Sequence, residues 1–300
     1  HRYGVDHGGP AGRGGGIVSD RISICVCTFR RTRMLRRLLE TLAAQETQGL
    51  FDFSIVVVDN DAAGSARDCV AEARRRLPGE IVYDIEPTNT IPPPRNRALR
   101  LATGNYIGII DDDEVAPATW LITLYRAIRT FEVDGALGPV YPFFENAPPA
   151  WLVKSGLCER PVIRTGTPLR WDDTRTGNVL MRRDVVTRND LYFDESCTTS
   201  GSDKEFFREA MDRGCRFVAV AEAPVFETVT PERQTKVYYF RRYRIQASNE
   251  RKFLSAYSAA LPLAMLRGTH VALPVALKAV YHGSWLLTML GFDLAKRRDL

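Results

Sequence analysis

Residues 104–114 read Gly104-Asn105-Tyr106-Ile107-Gly108-Ile109-Ile110-Asp111-Asp112-Asp113-Glu114, and this stretch decides the fold. The apolar, partly β-branched run from Tyr106 to Ile110 reads as a strand buried on both faces. It stops in four consecutive acids. Four carboxylates repel one another and offer a core nothing, so the cluster is expected to face water, a cation or a cationic partner. At the carboxyl end of a central strand in an open α/β sheet it would sit where such folds bind ligands. Hard oxygen donors there suit Mg²⁺ or Mn²⁺ carried in with a substrate diphosphate. The alternative is a solvated acidic turn capping a helix that starts near Pro117.

Upstream, Arg21 to Phe29 reads as a first strand, and Arg30 to Gln45 shows the helical period Met34, Leu35, Leu38, Leu39, Leu42. Phe53 to Val58 is a second strand ending in Asp59-Asn60-Asp61, Asp68 to Leu77 a helix, Ile81 to Ile85 a third strand and Asn96 to Ala102 a third helix. Strands alternating with helices build a mainly parallel sheet. Downstream, Trp120 to Phe131 continues as helix and Ala136 to Phe143 as strand. Residues 150–175 are loop-rich, then Asn178 to Arg182 is a short strand, Asp203 to Arg213 a helix and Cys215 to Ala221 another strand. From Tyr238 the chain reads as mostly helical.

The net charge of +5 is uneven. From Glu232 onward there are twelve Lys/Arg against four Asp/Glu, a balance of +8 that leaves −3 for the rest. Such a segment suits an anionic surface. Cys25, Cys27, Cys69, Cys158, Cys197 and Cys215 form no CxxC pair and no zinc pattern; they read as reduced, buried small hydrophobes of a cytosolic protein. The Gly-rich start, residues 1–20, reads as a flexible leader or an added, non-native segment.

The series CTFRR (27–31), VVVDND (56–61), PPPRNRAL (92–99), ATGNYIGIIDDDE (102–114), TGNVLMRR (176–183) and SGSDKEFF (200–207) resembles the GT-A glycosyltransferases of family 2, in particular bacterial exopolysaccharide enzymes of the succinoglycan-biosynthesis type. The resemblance, which covers roughly residues 21–245, implies a GT-A, Rossmann-like α/β fold with a mainly parallel sheet flanked by helices; the C-terminal tail reads from its own pattern as helical and a candidate for membrane association. Residues 21–135 would be the nucleotide-sugar-binding half, 136–235 the acceptor-binding half of the same domain, and 236–300 a basic amphipathic helical tail. It implies an inverting, metal-dependent transfer of a hexose-type sugar from a nucleoside diphosphate donor, UDP being the commonest. The acceptor would be a lipid-linked or saccharide molecule in cell-surface polysaccharide biosynthesis.

Residue by residue, the resemblance makes Asp111 and Asp113 the DxD pair, with Asp113 on Mn²⁺ or Mg²⁺ and Asp111 shared between metal and sugar. Asp112 would also belong to the nucleotide-sugar site, with a supporting place behind the pair or a cap on the following helix as its plainer roles. Asp59 and Thr28 would contact the nucleotide; an Asx-turn and a strand-end turn are their plainer roles. Arg95 and Asn96, held by Pro92 to Pro94, would lie near the donor, with a surface arginine as the alternative. Asp203 would be the catalytic base, or else an N-cap, and it lacks the preceding acid that most relatives carry. Gly177 permits close backbone approach to a ligand and Asn178 follows it. Trp151 and Trp171 are candidate sugar platforms, or simply packed. Arg241, Arg242 and Arg244 match loosely a basic signature of processive relatives; the missing tryptophan after them argues for one sugar per encounter, and an arginine there would stabilise a leaving diphosphate.

After Phe253 no apolar run reaches the roughly 18 residues of a spanning helix. Amphipathic helices on the anionic inner face of the cell membrane are one reading of the tail; packing on the catalytic domain or a homo-oligomer contact is the other. A nucleotidyltransferase is the rival enzyme, disfavoured because no glycine follows the first strand in CTFRRTRML. A non-catalytic membrane-associated or nucleic-acid-binding module lacks aromatic-basic interleaving, so no nucleic-acid partner is expected. Without a G-x-G-x-x-G after a strand, a dinucleotide oxidoreductase is disfavoured too.

Overall fold

The computed structural model describes residues 19–77, 79–88, 90–197 and 201–249, with side chains up to residue 242. The leader through residue 18, and the membrane or oligomer expectation for the helices after Phe253, lie outside the described residues.

β1 (Asp20–Thr28) sends Ile22, Ile24 and Val26 into one core and Cys25 into another. Both faces are covered, the condition under which parallel strands persist. In α1 (Thr32–Ala43), Leu35, Leu38, Leu39 and Leu42 form one buried stripe. Each contributes about 2 kcal/mol on leaving water, which docks the helix while Arg33 and Arg36 stay exposed. β2 (Phe51–Asp59), α2 (Arg67–Arg76), β3 (Ile81–Ile85), α3 (Pro92–Leu101) and β4 (Tyr106–Ile109) complete the alternating run. The third helix starts at Pro92, earlier than expected, because prolines fit a first turn whose N–H groups need no partner.

Past the acids come β5 (Glu114–Val115), α4 (Trp120–Thr130), β6 (Gly135–Leu137), β7 (Val140–Phe143) and α5 (Ala150–Ser155). Then follow β8 (Val179–Arg182), α6 (Asp184–Thr187), α7 (Ser202–Asp212), β9 (Phe217–Ala219), β10 (Val225–Thr228) and α8 (Lys236–Asn249). The main sheet has the order β3-β2-β1-β4-β8-β6-β9 and is parallel except where β8 runs against β4 and β6.

The run Ala136 to Phe143 is two strands, not one. At Gly138 a Cβ would come within 1.9 Å of the Ala223 carbonyl oxygen and 2.4 Å of Asn178 Nδ2. The chain turns at this close approach, leaves β6 in the main sheet and carries β7 into a second one, ordered β5-β10-β7. That sheet sets Glu227 of β10 opposite Glu114 of β5.

Candidate active site

β4 delivers the acid stretch to the carboxyl edge of the main sheet, beside the ends of β1 and β2. Of the expected surroundings, water, a cation or a cationic partner, water reaches chiefly Asp111, whose side chain is 45% exposed, while Asp112, Asp113 and Glu114 are buried. Cationic partners from the chain itself cover them. Asp112 accepts from the Thr28 hydroxyl at 2.8 Å and from Arg31 Nη1 at 3.0 Å. Asp113 Oδ2 accepts from Arg31 Nη1 at 3.2 Å and from Arg233 Nη1 at 3.1 Å. Arg233 also holds Glu227 at 2.5 Å, and Arg160 holds the other oxygen of Glu227 at 3.0 Å. Glu114 folds back to accept from the Asp111 backbone N–H at 3.0 Å. Arg95 Nη2 lies 3.8 Å from Asp111, its guanidinium over the Phe193 ring.

Burial first, then the Asp111 and Glu227 carboxylates, push Asp113 up to about 7 against the pull of Arg31. Burial and neighbouring carboxylates raise Asp111 and Glu114 as well, and burial raises Asp112. Glu227 is the exception: although burial pushes it up, Arg233 and Arg160 outweigh that and keep it below the usual range. Burial first, and carboxylate crowding after it, thus raise the proton affinity of Asp111 and Asp113 although Arg95, Arg31 and Arg233 lie beside them.

Several residues singled out in the sequence serve the scaffold here. The Asp59 carboxylate is fully buried and accepts from the Asp61 and Ala66 backbone N–H groups and the Tyr83 hydroxyl, a turn-forming role. Thr28 donates to Asp112. The buried Asn96 amide bonds the backbone of Phe193 on both sides and reaches Glu195. Asn178, at a φ of 70°, accepts from Trp120 Nε1 at 2.7 Å and donates to the Pro139 and Ala223 carbonyls. Gly177 lies against the acids: a Cβ there would stand 2.7 Å from Glu114 Oε1 and 3.1 Å from Asp111 Oδ2.

Asp203 opens α7 after Gly201, whose φ is 94°, and lies close enough for its charge to act on Asp111. The 3₁₀ turn Trp171–Asp173 packs on the same helix. Trp151 instead packs edge-on against Tyr239 under Lys236. On α8, Arg242 acts electrostatically on Glu227 while Arg241 is exposed; the Arg244 side chain lies outside the described residues. Among the six cysteines, all free thiols, only Cys25 and Cys69 are buried; the other four are partly exposed, a correction to the buried reading. Sequence reasoning missed Arg31, Arg160, Glu227 and Arg233. Arg31 is the last residue of the quoted CTFRR motif, but the other three carry no local signal.

For a divalent cation the donor set is chemically right: hard carboxylate oxygens with raised proton affinity. Among the described residues no three His, Cys, Asp or Glu side chains form a ready-made metal cage. An ion that takes one or two carboxylates and completes its shell with water and substrate phosphate does not need one. Asp111 and Asp113 fit such an ion.

Fold and site together define a GT-A type glycosyltransferase. The structure aligns with TarS 1–349 of Staphylococcus aureus in complex with UDP at a TM-score of 0.55 and 20% identity, over 92% of this chain and 73% of that one. It aligns with the mannosyltransferase PcManGT of Pyrobaculum calidifontis, in complex with GDP-Man and Mn²⁺, at 0.56 and 17% identity, over 93% and 77%. Residues 23–200 match the model of glycosyl transferase family 2, and the chain belongs to that family. It is 32% identical over 246 residues to the succinoglycan biosynthesis protein ExoM of Rhizobium meliloti, covering 79% of this chain and 76% of that protein. Chondroitin synthase of Escherichia coli is 22% identical over 73% of this chain, which spans only 36% of that longer protein. Membership sets aside the nucleotidyltransferase and the non-catalytic module.

Proposed function

We propose that the protein transfers a hexose-type sugar from a nucleoside diphosphate donor, a UDP-sugar, to a saccharide or lipid-linked acceptor in the synthesis of a cell-surface polysaccharide, with inversion at the anomeric carbon. The observation that carries this reading is the carboxylate cluster at the end of β4, where burial and crowding raise the proton affinity of Asp111 and Asp113, ringed by Arg31, Arg95 and Arg233. The ExoM relative supports the polysaccharide setting, and the UDP and GDP-Man complexes of the structural neighbours support the donor class.

In this reading Asp111 and Asp113 hold Mn²⁺ or Mg²⁺, which supplies positive charge to the donor diphosphate. Arg31 and Arg233, already at the Asp113 carboxylate, turn to the phosphate oxygens and stabilise the charge that grows on the leaving nucleotide. Arg95 orients the donor from the Asp111 side. Asp203, on the acceptor half, takes the proton from the accepting hydroxyl as its oxygen attacks. Isothermal titration with UDP, with and without Mn²⁺, tests the core of the proposal. Binding that Mn²⁺ tightens is expected; no binding of any nucleoside diphosphate under either condition would overturn it.

The basic balance from Glu232 onward supports a peripheral position on the inner face of the cell membrane. Among the described residues no helix is long and apolar enough to cross a membrane. Flotation with anionic vesicles, weakened by salt, is the expected result; equal recovery with neutral vesicles would count against it.

A further inference from the structure

Arg175 stands two residues before Gly177, on the loop that presses against Glu114 and Asp111. It is partly buried, yet among the described residues no hydrogen bond or ion pair reaches its guanidinium. The charges that act on it most are the Arg160 cation and the carboxylates of Glu114, Asp203 and Glu227. Of these carboxylates, Glu227 is already held by Arg160 and Arg233, and Glu114 by the Asp111 backbone. Burial, together with the Arg160 cation, pulls the Arg175 guanidinium down to about 10. A half-buried cation beside a second cation, without an ion pair, costs stability in the folded chain unless a ligand supplies the missing anion. Arg175 also lines a small pocket at the carboxyl edge of β6 and β9, with Leu137, Ile163, Leu169, Val220 and Asp173, whose carboxylate accepts the Arg170 backbone N–H at 3.2 Å. That pocket lies on the half of the sheet away from β2 and β3, in the part of the chain that carries Asp203.

We infer that Arg175, with Arg160 beside it, binds an anionic group of the acceptor, a carboxylate or phosphate, near the hydroxyl that accepts the sugar. The inference rests on the proposed acceptor role of this half of the site. A planar guanidinium pairs two-pronged with either oxyanion, which makes arginine the suitable residue. An acceptor carrying such a group would be selected over a neutral one, because a neutral sugar leaves the cation unpaired.

The test uses the wild-type chain, Arg175→Gln and Arg175→Met, with inorganic phosphate and glucuronate as anionic probes and glucose and NaCl as controls at matched ionic strength. Melting is followed at saturating UDP and Mn²⁺, so that the donor site is filled. Phosphate and glucuronate should raise the wild-type midpoint by about 2 °C or more above the controls. Arg175→Gln should lose that rise while its UDP affinity stays within about twofold. Without ligands, Arg175→Met should melt no lower than wild type, since it removes an unpaired cation. Three results would overturn the inference: no anion-specific rise in wild type, an Arg175→Gln chain that binds UDP about tenfold more weakly because the guanidinium serves the donor, or an Arg175→Met chain that melts clearly lower. The melting series is repeated without nucleotide. An Arg175-dependent anion rise there, in a chain that fails to bind UDP in titration, would sink the donor reading and leave this one standing.

Discussion

Arg233 joins Asp113 at 3.1 Å across 120 residues of sequence and holds Glu227 with its other terminal nitrogen. The bridge forms because β10 pairs with β5, directly after the acid stretch, and because the Thr228 N–H donates to the Asp113 carbonyl at 2.8 Å. The second sheet thus brings Arg233 and Glu227, far along the chain, onto the acid stretch at Asp113 and Glu114.

Asp113→Asn should therefore separate charge from shape. The amide oxygen still accepts from Arg31 and Arg233, while one carboxylate leaves a crowded group and the folded chain should melt within a few degrees of wild type, a ΔΔG of about 1 kcal/mol. Transfer should fall on the order of 10²-fold or more, as for loss of a single preorganised electrostatic group. The Mn²⁺-dependent part of UDP affinity should vanish in titration. Near-normal turnover would remove Asp113 from the metal reading.

Asp203→Asn should leave donor binding intact and slow transfer by about 10²–10⁴-fold. The check is a rate with a competent acceptor, beside a UDP titration of the same protein. The anomeric configuration of the wild-type product, read by NMR coupling constants, should be inverted relative to the donor. A variant that keeps more than about a tenth of the wild-type rate would take the base role from Asp203.

Gly177→Ala probes the acid pair through packing alone, since a new methyl would stand 2.7 Å from Glu114 Oε1 and 3.1 Å from Asp111 Oδ2. Relief needs one of the two carboxylates to move, and overpacking of this kind costs about 1–3 kcal/mol. Mn²⁺-dependent UDP affinity should drop about tenfold. Unchanged affinity and melting would mean that the Asp111 to Glu114 turn is softer than its hydrogen bonds imply.

Asn178→Ala should unfold the protein more readily than it alters binding. The change strands the Trp120 indole N–H and the Ala223 carbonyl, now paired at 2.7 and 2.8 Å, while the Pro139 carbonyl keeps the Val225 N–H at 3.0 Å. A buried group left unpaired costs about 1–3 kcal/mol, so urea denaturation should show a loss of about 3 kcal/mol or more. Weaker UDP binding at unchanged stability would return Asn178 to the ligand side.

Sequence alone determined the alternating strands and helices of the first half, because Ile22, Ile24, Val26 and the leucine stripe of α1 must leave water in one periodic arrangement. It also placed Asp111 to Asp113 at the carboxyl end of a central strand, since an abrupt change from apolar residues to four acids has few other readings. Only the tertiary structure decided which polar side chains remain for a ligand. Asp59, Asn96 and Asn178 have the right chemistry for a nucleotide or a sugar, yet turns and loops too distant in sequence to signal themselves claim their hydrogen bonds. Arg160, Glu227 and Arg233 reach the acids through the pairing of β10 with β5, and no local pattern in the chain announces that pairing. Burial and summed charge, which put Asp113 at about 7 and leave Arg175 without an ion pair among the described residues, depend on all neighbours at once and so exist only in the folded molecule.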